Sequence, residues 1–383
     1  MLGVTLGVAV LVIVTSVMGG FGHELRKMIV QTEGEVQVKA RAPIANVADV
    51  LAKVRAVPGV AAATPYVAGP VMVLAEGHPA FPIFRGIELE SVEQVANLQR
   101  FVRMGLLGEL DDDSVILSVE VAQQLGVRIG GTIEIYSPLL IEKLKADEVF
   151  LPRRFRVVGL FEIGHQHLDS STIYGTLRAA QELYGLGREV HGINVRLRPG
   201  TEEQEAVARI NLVLPRETQA FSWQQSWESF LWVLQLEKTI NFFLLLFIVI
   251  IAAFSVMSSL LISVVRKTRE IGLLGALGGQ PRQVALCFCA QAFVIGAAGT
   301  AVGVALGFGI LAIRNDLVLG LARLLGRQET LRQFYQFAEL PAHTATSDLV
   351  MTVVMAIVIS TLAGLLPAWR AARLRPVEAL RSE

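Results

Sequence analysis

The sequence predicts a membrane α-helical protein, four transmembrane helices with a large extracytoplasmic α+β domain inserted between helices 1 and 2. Three observations lead there. Four uncharged, apolar runs occupy residues 1–22, 239–265, 284–313 and 349–369, and about 20 helical residues suffice to cross a bilayer core of roughly 30 Å. Charged residues occur at ordinary globular density between 23 and 238 and elsewhere crowd into short junctions. Lys and Arg are concentrated in two of those junctions. An ionised side chain at the centre of a span costs about 2.5–3.5 kcal/mol, and core helices of soluble proteins seldom exceed roughly 20 residues. Together these exclude a water-soluble reading of the runs.

Residues 1–22 form the first span. A cleaved signal peptide competes with an anchor here, because Ser16, Gly19 and Gly20 are small. Such signals carry a basic segment ahead of the apolar one; this run has none and reads as an anchor. It starts at the first residue, which leaves open whether a cytoplasmic leader precedes it.

Residues 23–238 are enough for one or two globular units. Glu35–Val38 alternates as a strand, and Asn46 is placed to cap a helix with Val47, Val50, Leu51 and Val54 on one face, stopped by Pro58-Gly59. Strand-like pieces follow at 61–67, 71–74 and 81–87. Asp111–Asp113 reads as a solvated turn rather than a metal site. Ser118 caps a short helix through Val121 and Leu125 to Gly126; Gly130-Gly131 then turns the chain into the strand 132–136. Residues 154–161 and 193–197 are further strands. Thr201 with Gln204 fits a capping box for a helix carrying Val207, Ile210 and Leu214 inward. His165 and His167 fall on one side of a strand, a conceivable metal contact set against ordinary surface polarity.

Ser222 with Gln225 repeats the capping-box pattern ahead of Trp223, Trp227, Phe230 and Leu234. That face leads without Gly or Pro into the second span, 239–265, and predicts one long helix from Ser222 whose aromatic residues suit a membrane interface. An amphipathic core helix is the alternative for the part before Leu236. The third span, 284–313, would be about 45 Å long if helical throughout. It carries Gly296, Gly299, Gly303, Gly307 and Gly309, with Gly299/Gly303 a small-xxx-small pair suited to close helix contact. Cys287 and Cys289 lie within it and read as packing residues. The loop 314–348 mixes both charges and holds Phe334, Tyr335 and Phe337; the fourth span, 349–369, is ended by Pro367, and the tail 370–383 is basic.

Orientation follows from the short junctions. Segment 266–283 carries Arg266, Lys267, Arg269 and Arg282, and the tail carries Arg370, Arg373, Arg375 and Arg381. The positive-inside tendency puts both in the cytoplasm, and parity agrees, leaving 23–238 outside. The formal net charge of zero, with no basic stripe, gives no sign of nucleic acid. Neither a phosphate-binding loop, nor Gly-x-Ser-x-Gly, nor His-Glu-x-x-His occurs. The spans hold no ionisable acid or base, which argues against an ion-coupled carrier. The expectation is a non-enzyme that needs no cofactor and no metal and draws its energy from elsewhere.

Two stretches carry a resemblance. Lys267–Val284, with Arg269-Glu270-Ile271-Gly272-Leu273-Leu274-Gly275-Ala276-Leu277-Gly278-Gly279, resembles the cytoplasmic turn of the FtsX-like/MacB-like permeases of ABC transporters. The tail Leu366-Pro367-Ala368-Trp369-Arg370-Ala371-Ala372-Arg373-Leu374-Arg375-Pro376 resembles their ending. Val14–Phe21, Phe155–Glu162, Asp169-Ser170-Ser171 and Leu183–Gly187 are similar to the lipoprotein-releasing LolC/LolE branch. The resemblance implies a multi-pass protein of the bacterial inner membrane with its large domain in the periplasm. It implies a near-membrane subdomain from about 35–90 and 190–222, and an outer one from about 91–189. Its partners would be a cytoplasmic ATP-binding subunit that uses the ATP, a second permease subunit (a copy or a sister chain), membrane lipids, lipoprotein cargo and a periplasmic lipoprotein carrier. Cargo would enter laterally between spans one and two of the dimeric assembly. The ATPase would couple through Arg269, Glu270, Ile271, Leu274, Leu277 and Gly278, with Ile271, Leu274 and Leu277 as the apolar docking face. A hook at 138–153, offering Leu139, Leu140, Ile141, Phe150 and Arg153, would receive the carrier, although Ile141–Glu148 differs from the Pro- and Gly-rich pattern of the branch. Two other functions are implied by the wider superfamily: MacB-like export of periplasmic peptides, toxins or drugs, and FtsX-like signalling to a cell-wall hydrolase.

Overall fold

The computed structural model describes residues 1–137, 152–164, 169, 171–324 and 341–374. They form two units, Leu25–Leu231 and Met1–Glu24 with Trp232–Glu383.

In the first of these, one twelve-stranded sheet organises the chain. Its strands are β1 (Val36–Ile44), β2 (Val60–Pro70), β3 (Met72–Ala75), β4 (His78–Ala80), β5 (Ile83–Ile87), β6 (Val102–Met104), β7 (Ser114–Ser118), β8 (Thr132–Tyr136), β9 (Arg153–Phe161), β10 (Thr172–Thr176), β11 (Val190–Leu197) and β12 (Thr218–Ser222). The order is β12-β1-β11-β2-β5-β10-β7-β9-β8-β3-β4, with β6 on β9. Alternation along the strands sends Val36, Val38, Phe84, Val115, Leu117, Ile133, Ile135, Phe155, Val157, Ile173, Ile193 and Val195 into one core. The parallel pair β5/β10, with Arg85 opposite Tyr174, joins a half made of β12-β1-β11-β2-β5 to the rest.

That order shifts the expected subdomain boundary. Met72–Leu74 of β3 pair with β8, and β4 pairs with β3, so this hairpin sits with the outer strands although its residues fall within 35–90. β2 stays beside β5 up to Pro70, Val71 N donates to Pro82 O at 2.9 Å, and from Met72 the chain pairs with β8 instead.

Helix ends follow local chemistry in part. Ser118 accepts from Val121 N at 3.1 Å and Gly126 closes that helix at φ +70°, as the sequence indicates. Asn46 holds the cap position of Val47–Arg55 without a side-chain bond. The Thr201/Gln204 capping box does not form: the helix is Glu203–Val213, its cap position is Glu202, and Ala206 and Ile210 are its buried residues, with Val207 and Leu214 partly buried. Acidic residues in the first turn complement the helix dipole there in place of a hydroxyl cap.

The other unit holds the spans. Among the described residues four helices are long and apolar enough to cross a membrane: Leu2–Glu33, Glu228–Arg266, Pro281–Ala312 and Thr346–Ala372. The first continues past residue 22, where the strand-rich domain was expected to begin. The second starts one residue after Trp227, whose φ of −111° breaks it from a single turn at Trp223–Ser226, so the helix predicted from Ser222 is interrupted once. The Ser222/Gln225 capping box is present. On the second helix Leu245, Val249, Ala252, Val256 and Leu260 face inward, while Phe243, Phe247, Ile251 and Phe254 stay exposed. Apolar exposure on that scale marks a surface meant for lipid or for a partner. Pro367 does not end the fourth span. Lacking an N–H for the carbonyl four residues back, it breaks the helix at Gly364, and Leu365–Ala372 continues it.

The first span is clasped by the others. A Cβ built on Gly299 would meet Val4 Cβ at 3.2 Å, one on Gly303 would meet Thr5 O at 2.7 Å and Val8 Cβ at 2.9 Å, and one on Gly307 would meet Val12 Cβ at 3.0 Å. Gly296 faces Ser360 on the fourth span at 2.6 Å instead. Beyond the seam, residues 341–344 lie against the far end of the first span: His343 N donates to Ser16 O at 2.8 Å, and the Ser16 and Thr344 hydroxyls bond at 2.7 Å. Cβ atoms on Gly19 and Gly20 would stand 2.5 Å from the backbone of this strap.

Cys289 packs beside Phe288 as a core neighbour, but Cys287 is exposed, because side chains two apart on a helix diverge.

Candidate functional site

The junction between the second and third spans is an elbow built from backbone rules. Thr268–Ala276 forms a helix, and the Thr268 hydroxyl donates back to Val264 O at 3.0 Å and Val265 O at 2.8 Å. Lys267 and Glu270 pair at 3.5 Å across one turn. The helix stops in a Schellman motif: Gly279 N donates to Leu274 O at 2.9 Å and Gly278 N to Gly275 O at 3.2 Å. Gly278 has φ +95°, which a side chain would strain. The next helix restarts at once, with Pro281 in its first turn and a reciprocal Gln280/Gln283 capping box, Gln280 N donating to Gln283 Oε1 at 3.0 Å.

The faces of this elbow differ from expectation. Ile271 is buried in a cluster with Val264, Phe288, Ala368 and Ala371. The exposed apolar patch is Leu273, Leu274 and Leu277, still 55%, 55% and 78% exposed, with Arg269 and Glu270 exposed beside it. Ile271 is therefore buried within the chain, and Leu273 joins Leu274 and Leu277 on the exposed face. The physical cause is remote in sequence: Ala368 and Ala371, near the end of the fourth-span helix, share the cluster that takes Ile271 in.

Of the hook residues, Arg153 is described. Its guanidinium bonds Asp113 at 3.1 Å, the Asp112 carbonyl at 2.8 Å and Glu182, so it braces the start of β9. Leu139, Leu140, Ile141 and Phe150, like His165 and His167, lie outside the described residues. Gly299 and Gly303 line the seam against the first span, and Gly307 extends it.

The sequence profile of the MacB-like periplasmic core domain matches residues 1–213, and that of the FtsX-like permease C-terminal region matches 242–376. The lipoprotein-releasing system transmembrane protein LolC of Xylella fastidiosa (strain 9a5c) is 30% identical, over all of this chain and 92% of that protein. The chain belongs to the LolC/LolE family. LolE of Haemophilus influenzae is 24% identical over all of this chain and 93% of its own length. The macrolide export ATP-binding/permease protein MacB of Hyphomonas neptunium is 34% identical, over 35% of this chain and 18% of that protein.

This LolC/LolE-family chain has a second charged constellation that sequence reasoning missed. Glu33, the last residue of the helix that contains the first span, forms a buried ion pair with Arg85 of β5. Its other oxygen accepts from Gln37 Nε2 at 2.6 Å and Trp227 Nε1 at 3.2 Å. The Arg85 guanidinium lies 5.2 Å from the centre of the Tyr66 ring. The apolar run ends at Gly22, so Glu33 stands beyond the span. Burial raises its pKa, but the Arg85 charge and the bonds from Arg85 and Trp227 outweigh that and hold it below the usual carboxylate range. Burial lowers the Arg85 pKa, and the facing Glu33, with Tyr174, more than reverses this. Burial pushes the Tyr66 and Tyr174 hydroxyls up to about 12. The available signal was a lone Arg inside the apolar run Phe81-Pro82-Ile83-Phe84-Arg85-Gly86-Ile87.

Proposed function

We propose that this chain is the permease subunit of an ABC transporter complex that releases lipoproteins from the bacterial inner membrane toward a periplasmic carrier. A separate cytoplasmic subunit hydrolyses ATP, and a second permease subunit completes the membrane part. The observation that carries the reading is the elbow: a short helix, held at its start by the Thr268 hydroxyl and at its end by a Schellman motif, presenting Leu273, Leu274 and Leu277 beside Arg269 and Glu270. Such a patch suits insertion of a short helix into a groove of a soluble partner, with the charges setting register. Similarity to LolC and LolE over the whole chain, against 35% for the MacB relative, favours lipoprotein release over drug export. Within one chain Gly3 and Gly7 bring the first span against Ala252 and Ile248 of the second, so a lateral opening for cargo lies between chains rather than within one.

The test is purification of the complex from native membranes with mass spectrometry of its partners, then reconstitution. An ATP-binding subunit and acylated proteins should co-purify, and ATP should drive acylated protein into the soluble fraction when a carrier is added. A complex that instead associates with an outer-membrane channel and releases no acylated protein refutes the reading.

A further inference from the structure

Glu33 sits where a carboxylate is ordinarily disfavoured, at the C-terminus of a helix, where the backbone dipole is negative. It is also buried, and an apolar residue of similar volume would avoid the desolvation penalty. A residue that breaks two local rules is one whose geometry, rather than its burial, is in use.

Its partners show which geometry. Gln37 lies at the start of β1, Trp227 directly precedes the helix that contains the second span, and Arg85 lies on β5, where the parallel pair with β10 joins the two parts of the sheet. One carboxylate therefore ties together the domain ends of both long helices and the strand at the sheet's internal junction. Other contacts hold the end of the first helix, where Arg196 Nη1 donates to Val30 O at 2.8 Å and Asn97 N to Gln31 O at 3.2 Å, and the residues just past it, where Trp223 N donates to Glu35 O at 2.9 Å. None of these reaches both helices and β5 through a single side chain.

We propose that Glu33 and Arg85 are a positioning pair through which displacement of the two long helices is delivered to the junction between β5 and β10. This deepens the transporter reading and rests on it. Neither residue touches cargo or nucleotide. An ion pair with directional hydrogen bonds holds the three elements in one register, whereas an apolar plug of equal stability would let them slip.

The experiment uses the complex purified from native membranes, with Cys287 and Cys289 replaced by Ser and spin labels at positions 123 and 239. Nucleotide addition should change the label distance in the parent complex. The double variant Glu33→Gln/Arg85→Met keeps acceptors for Gln37 and Trp227 while removing both charges. It should retain the parent's thermal midpoint and basal ATPase, lose the distance change, and release at least tenfold less acylated protein per ATP. Trp227→Phe, which removes one bond and no charge, should halve the distance change; it serves alone if the double variant does not fold. A full-amplitude change in either folded variant overturns the pair's role, and so does a parent complex whose label distance ignores nucleotide. A distance change in the parent without release of acylated protein overturns the transporter reading instead, and the two failures are thereby separated.

Discussion

The elbow makes a quantitative demand. Leu273, Leu274 and Leu277 retain 55%, 55% and 78% of their exposure, and full burial of a leucine side chain contributes about 1.5–3 kcal/mol. Covering the remaining surface of all three should contribute on the order of 3–5 kcal/mol to docking, or roughly a hundredfold to a few thousandfold in affinity at about 1.4 kcal/mol per tenfold. Replacing the three with Ala should therefore release the ATP-binding subunit at micromolar protein while the permease keeps its thermal midpoint, since these side chains support no core. Ile271→Ala should behave oppositely: truncating a buried Ile costs about 2–5 kcal/mol of stability. Glu270→Lys with Leu274→Asp should abolish coupled ATPase and leave membrane insertion intact. The assays are pull-down of the ATP-binding subunit, cargo-stimulated ATPase in proteoliposomes, and thermal unfolding in detergent. A triple variant with stoichiometric partner and parental stimulated ATPase would refute the docking role, whatever the stability data show.

Other expectations are more local. Glu33 has a lowered folded-state pKa, so its stabilising contribution is complete above the ordinary value of 4.5 and is lost as pH falls through the folded value. Thermal midpoints should hence be flat for this group near neutrality and fall on acidification below that range; in Glu33→Gln this part of the acid loss should be missing. Gly303→Val should overpack the seam, because its Cβ would stand 2.7 Å from Thr5 O, at a cost of about 1–3 kcal/mol. Gly309→Ala, with open space around it, should leave the midpoint in place. Gly278→Ala should cost about 1–2 kcal/mol through its positive φ. Removing the partly exposed Lys238–Asp348 pair, at 2.8 Å, should change stability by no more than about 1 kcal/mol; a larger loss on detergent melting would contradict that.

The spans were legible because lipid imposes its rule residue by residue: an uncharged run of sufficient length has few other readings. Ser118, Gly126 and the Ser222/Gln225 box were legible for a similar reason, since each satisfies backbone groups within four residues. What escaped depends on distant partners. The strand β12, Thr-Gln-Ala-Phe-Ser, has no apolar alternation and exists because β1 offers it an edge. Thr201 carries the right hydroxyl but lies one position too early. Ile271 and Leu273 are equally apolar on paper, and the cluster that holds Ala368 and Ala371 separates them. Glu33 and Arg85 lie 52 positions apart, and no periodicity relates them.

The glycine seam has a corollary for how the first span is indexed. Val4, Val8 and Val12 meet Gly299, Gly303 and Gly307, two parallel series that both repeat every four residues. Translating the first span by one repeat, about 6 Å along its axis, would bring Val8 to Gly299 and Val12 to Gly303 and recreate the same notch-and-tooth fit. The seam fixes spacing and rotation but is degenerate in height. That degeneracy is broken at the far end, where the His343 amide bonds Ser16 O and the Gly19-Gly20 notch admits the chain at 341–343. The strap, rather than the longer interface beneath it, is the detent that sets the helix at one level.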